Sequence, residues 1–262
     1  MSQTLTVPRR AAGTTRADDP STVRQLARAC LMELRSLLNT RAGIALAVGA
    51  VLGIGVFAGG RAAFPADDTA LGVLVTMASW PGGLAAMVAS VLLVTNEFST
   101  GTISATLALQ PRRGIVLTAK ALVVTGLVLL VTAVALLAGV LMVLVVPLVT
   151  GQDLQWTLSL ARIAAGTGVN LLTCLAALAW GLVARNAAAP IVLLLVWPTL
   201  SSLVSAVSPR VGELLAYLSL DAPFAVANAQ PGAVLQLLTA SLVWVLLPGI
   251  PGARHWLRAD LS

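Results

Sequence analysis

Six long runs without a charged residue divide this chain and restrict the folds open to it. A helix needs about 20 mostly apolar residues to cross a bilayer. No water is present there to hydrogen-bond with the backbone, so the chain must form its backbone hydrogen bonds internally. Each run reaches or approaches that length. The runs predict six transmembrane helices, at residues 42–60, 71–95, 121–147, 163–184, 188–207 and 233–250.

The composition places the chain in the membrane class. Of its 262 residues, 58% are hydrophobic and 10% are charged, whereas a soluble domain carries about 25% charged residues. The net charge of +6 comes largely from basic residues that flank the apolar runs, which indicates membrane topology and gives no reason to expect a nucleic-acid partner. We therefore predict an all-α integral membrane protein, with six transmembrane helices within residues 40–258 and an amphipathic interfacial helix before them.

The basic residues are distributed unevenly between the two ends of these helices. With the N-terminus in the cytoplasm, only Arg61, Arg162 and Arg210 of the 16 lysines and arginines fall on the outer side. In multi-pass proteins the cytoplasmic segments carry the excess of Lys and Arg. The sequence therefore predicts that both termini are cytoplasmic.

The chain before the first run divides into two parts. Residues 1–20 are polar without apolar periodicity, so we expect a disordered cytoplasmic tail. Residues 21–39 predict an amphipathic helix that lies in the cytoplasmic interface against membrane lipid. A helix packed in a small cytoplasmic domain is the alternative. The predicted apolar face is Val23, Leu26, Cys30, Leu34 and Leu37, and the basic face is Arg24, Arg28 and Arg35.

The residues required for several kinds of catalytic or metal site are absent from this sequence. The one histidine, His255, follows the last run, which excludes a metal site built from histidines and a Ser–His or Cys–His pair in the membrane. There is no Gly-Lys pair for a phosphate-binding loop, and no run holds the acidic pair that a proton relay needs. Cys30 and Cys174 have no metal-ligand spacing and no expected disulfide. We expect no enzyme activity, no cofactor and no metal, so the bundle is either passive or driven by another subunit.

The segment from Glu97 to Lys120 is the longest polar stretch between two runs, and it must lie on one side of the membrane. Residues 99–110 predict a helix too short to span, which Ser99 or Thr100 can cap and Pro111 ends. A partner could hold such a helix. An ordinary loop, with Glu97 as a solvated charge at its boundary, is the alternative.

In order and spacing, this segment resembles the permease subunits of type-2 ABC transporters, mostly bacterial exporters. The basic interfacial helix, the six spans, the cytoplasmic termini and a long external connection before the last span are similar too. The external connection is expected to hold short helices in residues 210–230. The resemblance covers about residues 21–258. Its local motif consists of Glu97, Gly101, Thr102, Ile103, Leu107, Pro111, Arg113 and Lys120.

The resemblance implies a half-transporter of the bacterial plasma membrane. Two ABC ATPase subunits would bind ATP, and a second permease copy, identical or similar, would complete the assembly. Residues 99–110 would be the coupling helix, which receives motion from the ATPase. The implied ATPase-coupling residues are Glu97, Gly101, Thr102, Ile103, Leu107, Pro111, Arg112 and Arg113.

The cargo is expected to be amphipathic or lipophilic, such as a peptide, a lipid or a drug-like molecule, because few charges are available to hold a polar one. The alternative is a membrane protein that transports nothing and recruits or regulates a cytosolic partner through the same segment.

Some residues inside the runs are candidates for the dimer interface or the transport path. Small residues spaced by four allow close helix approach, and in the family the first and fifth spans meet across the dimer. Prolines within a span can kink it and line a path, and an amide can contact cargo. The alternatives are an Ala/Gly-rich coding bias for the glycines, ordinary packing for the prolines and an interhelical hydrogen bond for Asn170. The candidates are Gly49, Gly53, Gly55, Gly59, Pro81, Asn170 and Pro198.

Overall fold

The computed structural model describes residues 22–63, 70–99, 113–151 and 154–258, and this part of the chain is helical apart from short connections. Its α-helices are α1 Thr22–Leu38, α2 Arg41–Ala63, α3 Leu71–Ser99, α4 Arg113–Thr150, α5 Leu160–Ala184, α6 Ala188–Val207, α7 Pro209–Ala216, α8 Ala222–Ala227, α9 Ala233–Ser241 and α10 Leu247–Arg258. A π-helical turn, Leu242–Leu246, connects α9 to α10 without a break. The predicted tail, residues 1–20, lies outside the described residues.

Six helical segments of the described chain are long and apolar enough to cross a membrane: α2, α3, α4, α5, α6 and the continuous α9–α10. This confirms the predicted fold class of six such helices preceded by a shorter one. Pro81 and Pro198 lie within α3 and α6, and both helices continue through them. Helix α4 begins at Arg113, before the start of the third predicted span, and carries Lys120 two turns into the helix.

Helix α3 lies at the centre of the bundle, because it packs against α2, α4 and α5. Its fully buried side chains include Leu74, Val75, Met87 and Val91. Small residues permit this close packing: a Cβ at Gly82 would meet Val131 of α4 and Ile54 of α2. The core is therefore built around the second predicted span.

Helix α1 packs against α4 largely along the predicted apolar face, where Leu37 is buried and Leu26, Cys30 and Leu34 are half-buried. Val23, predicted on the apolar face, is 75% exposed, whereas Ala29 and Leu37 are buried. Glu33 also lies on the packed side, where it meets Lys120 of α4. Val23, in the first turn of α1, is the one residue of the predicted apolar face that is exposed.

The bundle has two ends. The α1 end carries α1, the end of α3, the start of α4 and the end of α10. At the other end, called the distal end below, the start of α3 pairs with the connection between α4 and α5, where Leu71 N donates to Gln155 O at 3.0 Å. Between α6 and α9 the distal end also carries α7 and α8, and α8 packs on α5.

Candidate functional site

A buried ion pair joins three helices at the α1 end. Lys120 Nζ of α4 donates to Glu33 Oε2 of α1 at 2.8 Å and to Leu93 O of α3 at 2.7 Å. Lys120 is 0% exposed. A charge so buried is tolerated only when it is paired and hydrogen-bonded. The pair therefore ties the end of α3 and the start of α4 to the same point on α1, and we call this contact the three-helix junction.

Cys30 belongs to the same junction. Its Sγ lies 3.8 Å from Ala119 O, as a thiol donor to a carbonyl. Burial first, and the neighbouring Glu33 carboxylate second, raise the pKa of the Cys30 thiol. The side chain therefore acts as a protonated packing contact between α1 and α4, and both cysteines of the chain are free thiols.

In the sequence, the predicted coupling segment connects α3 to α4, two of the helices of this junction. Of its residues, Gly101, Thr102, Ile103, Leu107, Pro111 and Arg112 fall outside the described residues. Glu97 lies in the last turn of α3 and Arg113 at the start of α4, and the side chains of both are likewise outside the description. The structure thus describes the two helices that flank residues 100–112 and the ion pair that fixes them to α1.

The predicted small-residue pairs of α2 do not form one common face. A Cβ at Gly53 would lie 2.6 Å from Pro81 Cβ, so Gly53 is where α2 and α3 touch. Gly49 and Gly55 have no neighbour within 4 Å, and Gly59 has only Met142 Sδ at 4.0 Å. One predicted site residue, Gly53, therefore packs against another, Pro81, inside the chain, while Gly49 and Gly55 are open to the outside.

Asn170 makes an interhelical contact. Its Nδ2 donates to Ser79 Oγ of α3 at 3.4 Å, and Ser79 Oγ donates to Thr76 O at 2.8 Å. A Cβ at Gly83 would run into the Asn170 amide, so a glycine is needed there for α5 to approach α3. One helix turn away, the hydroxyls of Thr132 and Thr167 lie 3.0 Å apart between α4 and α5. These polar contacts fix α3, α4 and α5 in the apolar interior.

Two adjoining cavities lie at the distal end, next to the segment between α6 and α9, residues 208–232, which we call the distal connection. The inner one also lies against α3, α5 and α6. The inner cavity, of about 160 Å³, is lined by residues that include Trp80, Asn170, Trp197 and Pro198. It thus brings together Asn170 and Pro198, two of the predicted path residues, and it lies next to Pro81. The outer cavity, of about 390 Å³, is bounded by α6, α7 and α8 and has a more polar wall. The cavities share four lining residues: Pro198, Ser201, Ser219 and Asp221.

Three tryptophans hold the distal connection against the bundle. Trp244 lies in the π-helical turn and meets Trp197 edge-on, with ring centroids 5.2 Å apart, and Trp180 at 6.4 Å. Trp244 Nε1 and Trp197 Nε1 both donate to Leu218 O, at 2.8 and 3.3 Å. Short π-helical turns within α-helices often occur at functional positions. Here the turn contains Trp244, whose indole N–H donates to Leu218 O.

Sequence reasoning did not assign roles to Glu33, Trp244 or Asp221. A signal for Glu33 was present, because one acidic residue interrupts a basic helix and the chain has a single lysine at the start of an apolar helix. Trp244 and Asp221 gave no comparable signal. Among the described residues no group of three or more His, Cys, Asp or Glu residues could hold a metal ion.

The chain is a multi-pass membrane protein by the length and composition of its helices. Comparison with known proteins found no family model and no curated protein that matches it.

Proposed function

We propose that this chain is the membrane-spanning permease subunit of an ATP-driven exporter of the type-2 ABC class, powered by a separate ATPase. The observation that supports this most is the three-helix junction. The segment whose residues resemble a coupling helix is flanked by two helices that one buried ion pair joins to α1. A push on that segment would therefore move α1, α3 and α4 together.

Rigid transmission is what a permease without its own motor requires. Interfaces and packed cores pass on displacement as rigid-body motion because they do not deform continuously. Helix α3 continues from the junction to the distal end, past the inner cavity that Trp80 and Gly83 help to line. Motion received at the α1 end would thus reach the cavity through one helix.

The exposure of the spans supports a second permease copy as partner. In their apolar windows α2 and α6 bury 17% and 11% of their residues, whereas α3 buries 61%. Helix α3 is exposed along one stripe, Met77, Trp80 and Leu84, at spacings of three and four. Since α3 packs against both α2 and α6, we propose that α2, this stripe and α6 face the second copy, with the transport path at the seam.

In this proposal the α1 end is cytoplasmic and the membrane is the bacterial plasma membrane, as the distribution of basic residues suggests. The ATPase subunits, expected to be two, would contact residues 99–110, and ATP would be bound by them alone. The cargo would be amphipathic or lipophilic.

The test is a pull-down of the full chain from native membranes after mild solubilisation, followed by reconstitution with any ATPase that co-purifies. We expect a co-purifying ATPase, and ATP-dependent export that Glu97→Ala or Gly101→Pro uncouples from hydrolysis. Glu213→Ala is the matched control, because Glu213 is an exposed acid of α7 at the distal end. Recovery of a cytosolic partner without ATPase activity would favour the recruiting or regulatory function instead. Unchanged export by both coupling variants would overturn the proposal.

A further inference from the structure

We propose that the two adjoining cavities form a binding site for an amphiphilic organic cation, with Asp221 at their junction as the group that holds the positive charge. As a binding site this is independent of transport; the assignment of the cation as a cargo rests on the permease function proposed above.

The Asp221 carboxylate has no structural task among the described residues. Asp221 occupies the N-cap position of α8, where an aspartate usually accepts a hydrogen bond from the first helical turn, but its side chain makes no capping bond. The turn is instead held by backbone groups: Phe224 N donates to Asp221 O at 2.8 Å, and Asp221 N donates to Ser219 Oγ at 3.1 Å. The carboxylate is thus left to line both cavities.

The surroundings of this carboxylate favour a positive ligand. Asp221 is the only ionisable residue among those that line either cavity in the described chain. Although its side chain faces open cavity space, the surrounding protein desolvates it in part and raises the pKa of the carboxyl. A ligand cation beside this carboxylate would favour its charged form and oppose that effect of desolvation.

The inner cavity suits the apolar body of such a ligand. Trp80 and Trp197 contribute aromatic rings to its wall, and Leu84, Met87 and Leu194 contribute aliphatic surface. Trp80 is 58% exposed, so this wall includes a side chain that also reaches the bundle surface. Cations with an apolar periphery bind well over tryptophan faces, and an acid beside two tryptophans favours them over anions of equal size.

The outer cavity suits the polar part. The hydroxyls of Ser201, Ser202 and Ser205 donate to carbonyls of their own helix. Their oxygens are then left as acceptors, which an ammonium N–H or the water around a cation can use. Asn228, Gln230 and Gln236, which carry side-chain amides, also line this cavity. The geometry therefore orders the ligand, with its apolar body inside, its charge at Asp221 and its polar groups toward the distal end.

The experiment measures binding of tetraphenylphosphonium to the purified full chain in phosphatidylcholine nanodiscs, by equilibrium dialysis and by tryptophan fluorescence. Tetraphenylborate, an anion of similar size and shape, is the ligand control. We expect saturable binding of the cation, no competition from the anion, and a loss of affinity of about ten-fold or more in Asp221→Asn, as for removal of a charge partner. Asp221→Glu should retain most of the affinity, and Glu213→Gln, which changes an acid outside both cavities, should retain all of it.

Thermal unfolding of each variant shows whether the fold is intact, and Asp221→Asn should match wild type because its carboxylate makes no bond that the amide would lose. Absence of saturable binding by wild type, equal binding of the anion, or unchanged affinity in Asp221→Asn would each overturn the proposal. The assay contains neither ATPase nor ATP, so its failure would leave the permease function to its own test, and failure of that test would leave a demonstrated cation site in place.

Discussion

Lys120 Nζ lies 2.8 Å from Glu33 Oε2, so the single lysine of this chain is held by an acid that precedes it by 87 residues and belongs to a helix before the first span. The same ammonium also donates to Leu93 O. A charge that hydropathy assigns to the edge of the membrane is therefore inside the protein, where it joins three helices.

Removal of one partner of this pair should destabilise the bundle strongly. Lys120→Met removes the buried ammonium from which Glu33 Oε2 and Leu93 O both accept, at a cost of about 3 kcal/mol or more. Thermal unfolding of the solubilised protein, followed by size-exclusion chromatography, measures the effect. The double variant Glu33→Gln with Lys120→Met should recover part of the loss, because neither charge then remains buried. Equal stability of the single variant and wild type would mean that the ion pair contributes nothing.

Two glycines one helical turn apart in α2 should respond oppositely to the same substitution. Gly53→Ala places a methyl group against the rigid ring of Pro81, 2.6 Å from its Cβ, and should cost about 1–3 kcal/mol. Gly49→Ala meets no atom within 4 Å and should be neutral or slightly stabilising, because alanine favours the helix more than glycine does. The comparison is made by thermal unfolding of the two variants. A loss of stability confined to Gly49→Ala would contradict the contact between α2 and α3.

Trp244→Phe should loosen the distal connection. The substitution removes the indole N–H that donates to Leu218 O at 2.8 Å and leaves a gap beside Trp197, for a combined cost of about 1–3 kcal/mol. Hydrogen exchange of the amides around residues 217–222 should accelerate, and the unfolding temperature should fall. Trp156→Phe is the control, because Trp156 is 58% exposed in the connection before α5. Similar exchange in the two variants would show that Trp244 does not hold this turn.

The two ends of the bundle should differ in their access from outside the cell. A cysteine at Thr106 should resist a membrane-impermeant maleimide in intact cells, whereas a cysteine at Gln230 should react, because the predicted topology places residues 99–110 in the cytoplasm and the distal end outside. Wild type, with Cys174 buried and Cys30 half-buried, gives the background. Labelling of Thr106→Cys from outside would reverse the topology and remove the basis for an ATPase at that segment.

The positions of the helices could be predicted from hydropathy, because hydropathy is a property of neighbouring residues in the sequence. Charge-free runs located all six spanning helices, because the cost of leaving backbone or charge in hydrocarbon is a local property. The rule does not say how far a helix extends beyond its charge-free run, as α4 does by beginning at Arg113. Apolar periodicity located the packed face of α1 from Leu26 to Leu37, but it did not indicate that Val23 in the first turn is exposed.

The candidate site was predictable only in its separate parts. Pro81, Pro198 and Asn170 could be selected from the sequence because a proline or an amide is unusual within an apolar run. No spacing indicated that Gly53 contacts Pro81 or that Asn170 and Pro198 line one cavity. Asp221 shows the limit most clearly. In sequence it is one loop acid among several, and its position between two cavities depends on where α6 and α8 pack.

By itself the sequence determined that this chain is a bundle of membrane-length helices with a polar segment between the second and third, because hydropathy and helix length act over neighbouring residues. Only the tertiary structure decided that Lys120 pairs with Glu33, that Gly53 packs against Pro81, and that Asp221 lines two adjoining cavities. Each of these depends on residues far apart in the chain, and the rotation and depth at which helices pack are set by side-chain fit across the whole bundle.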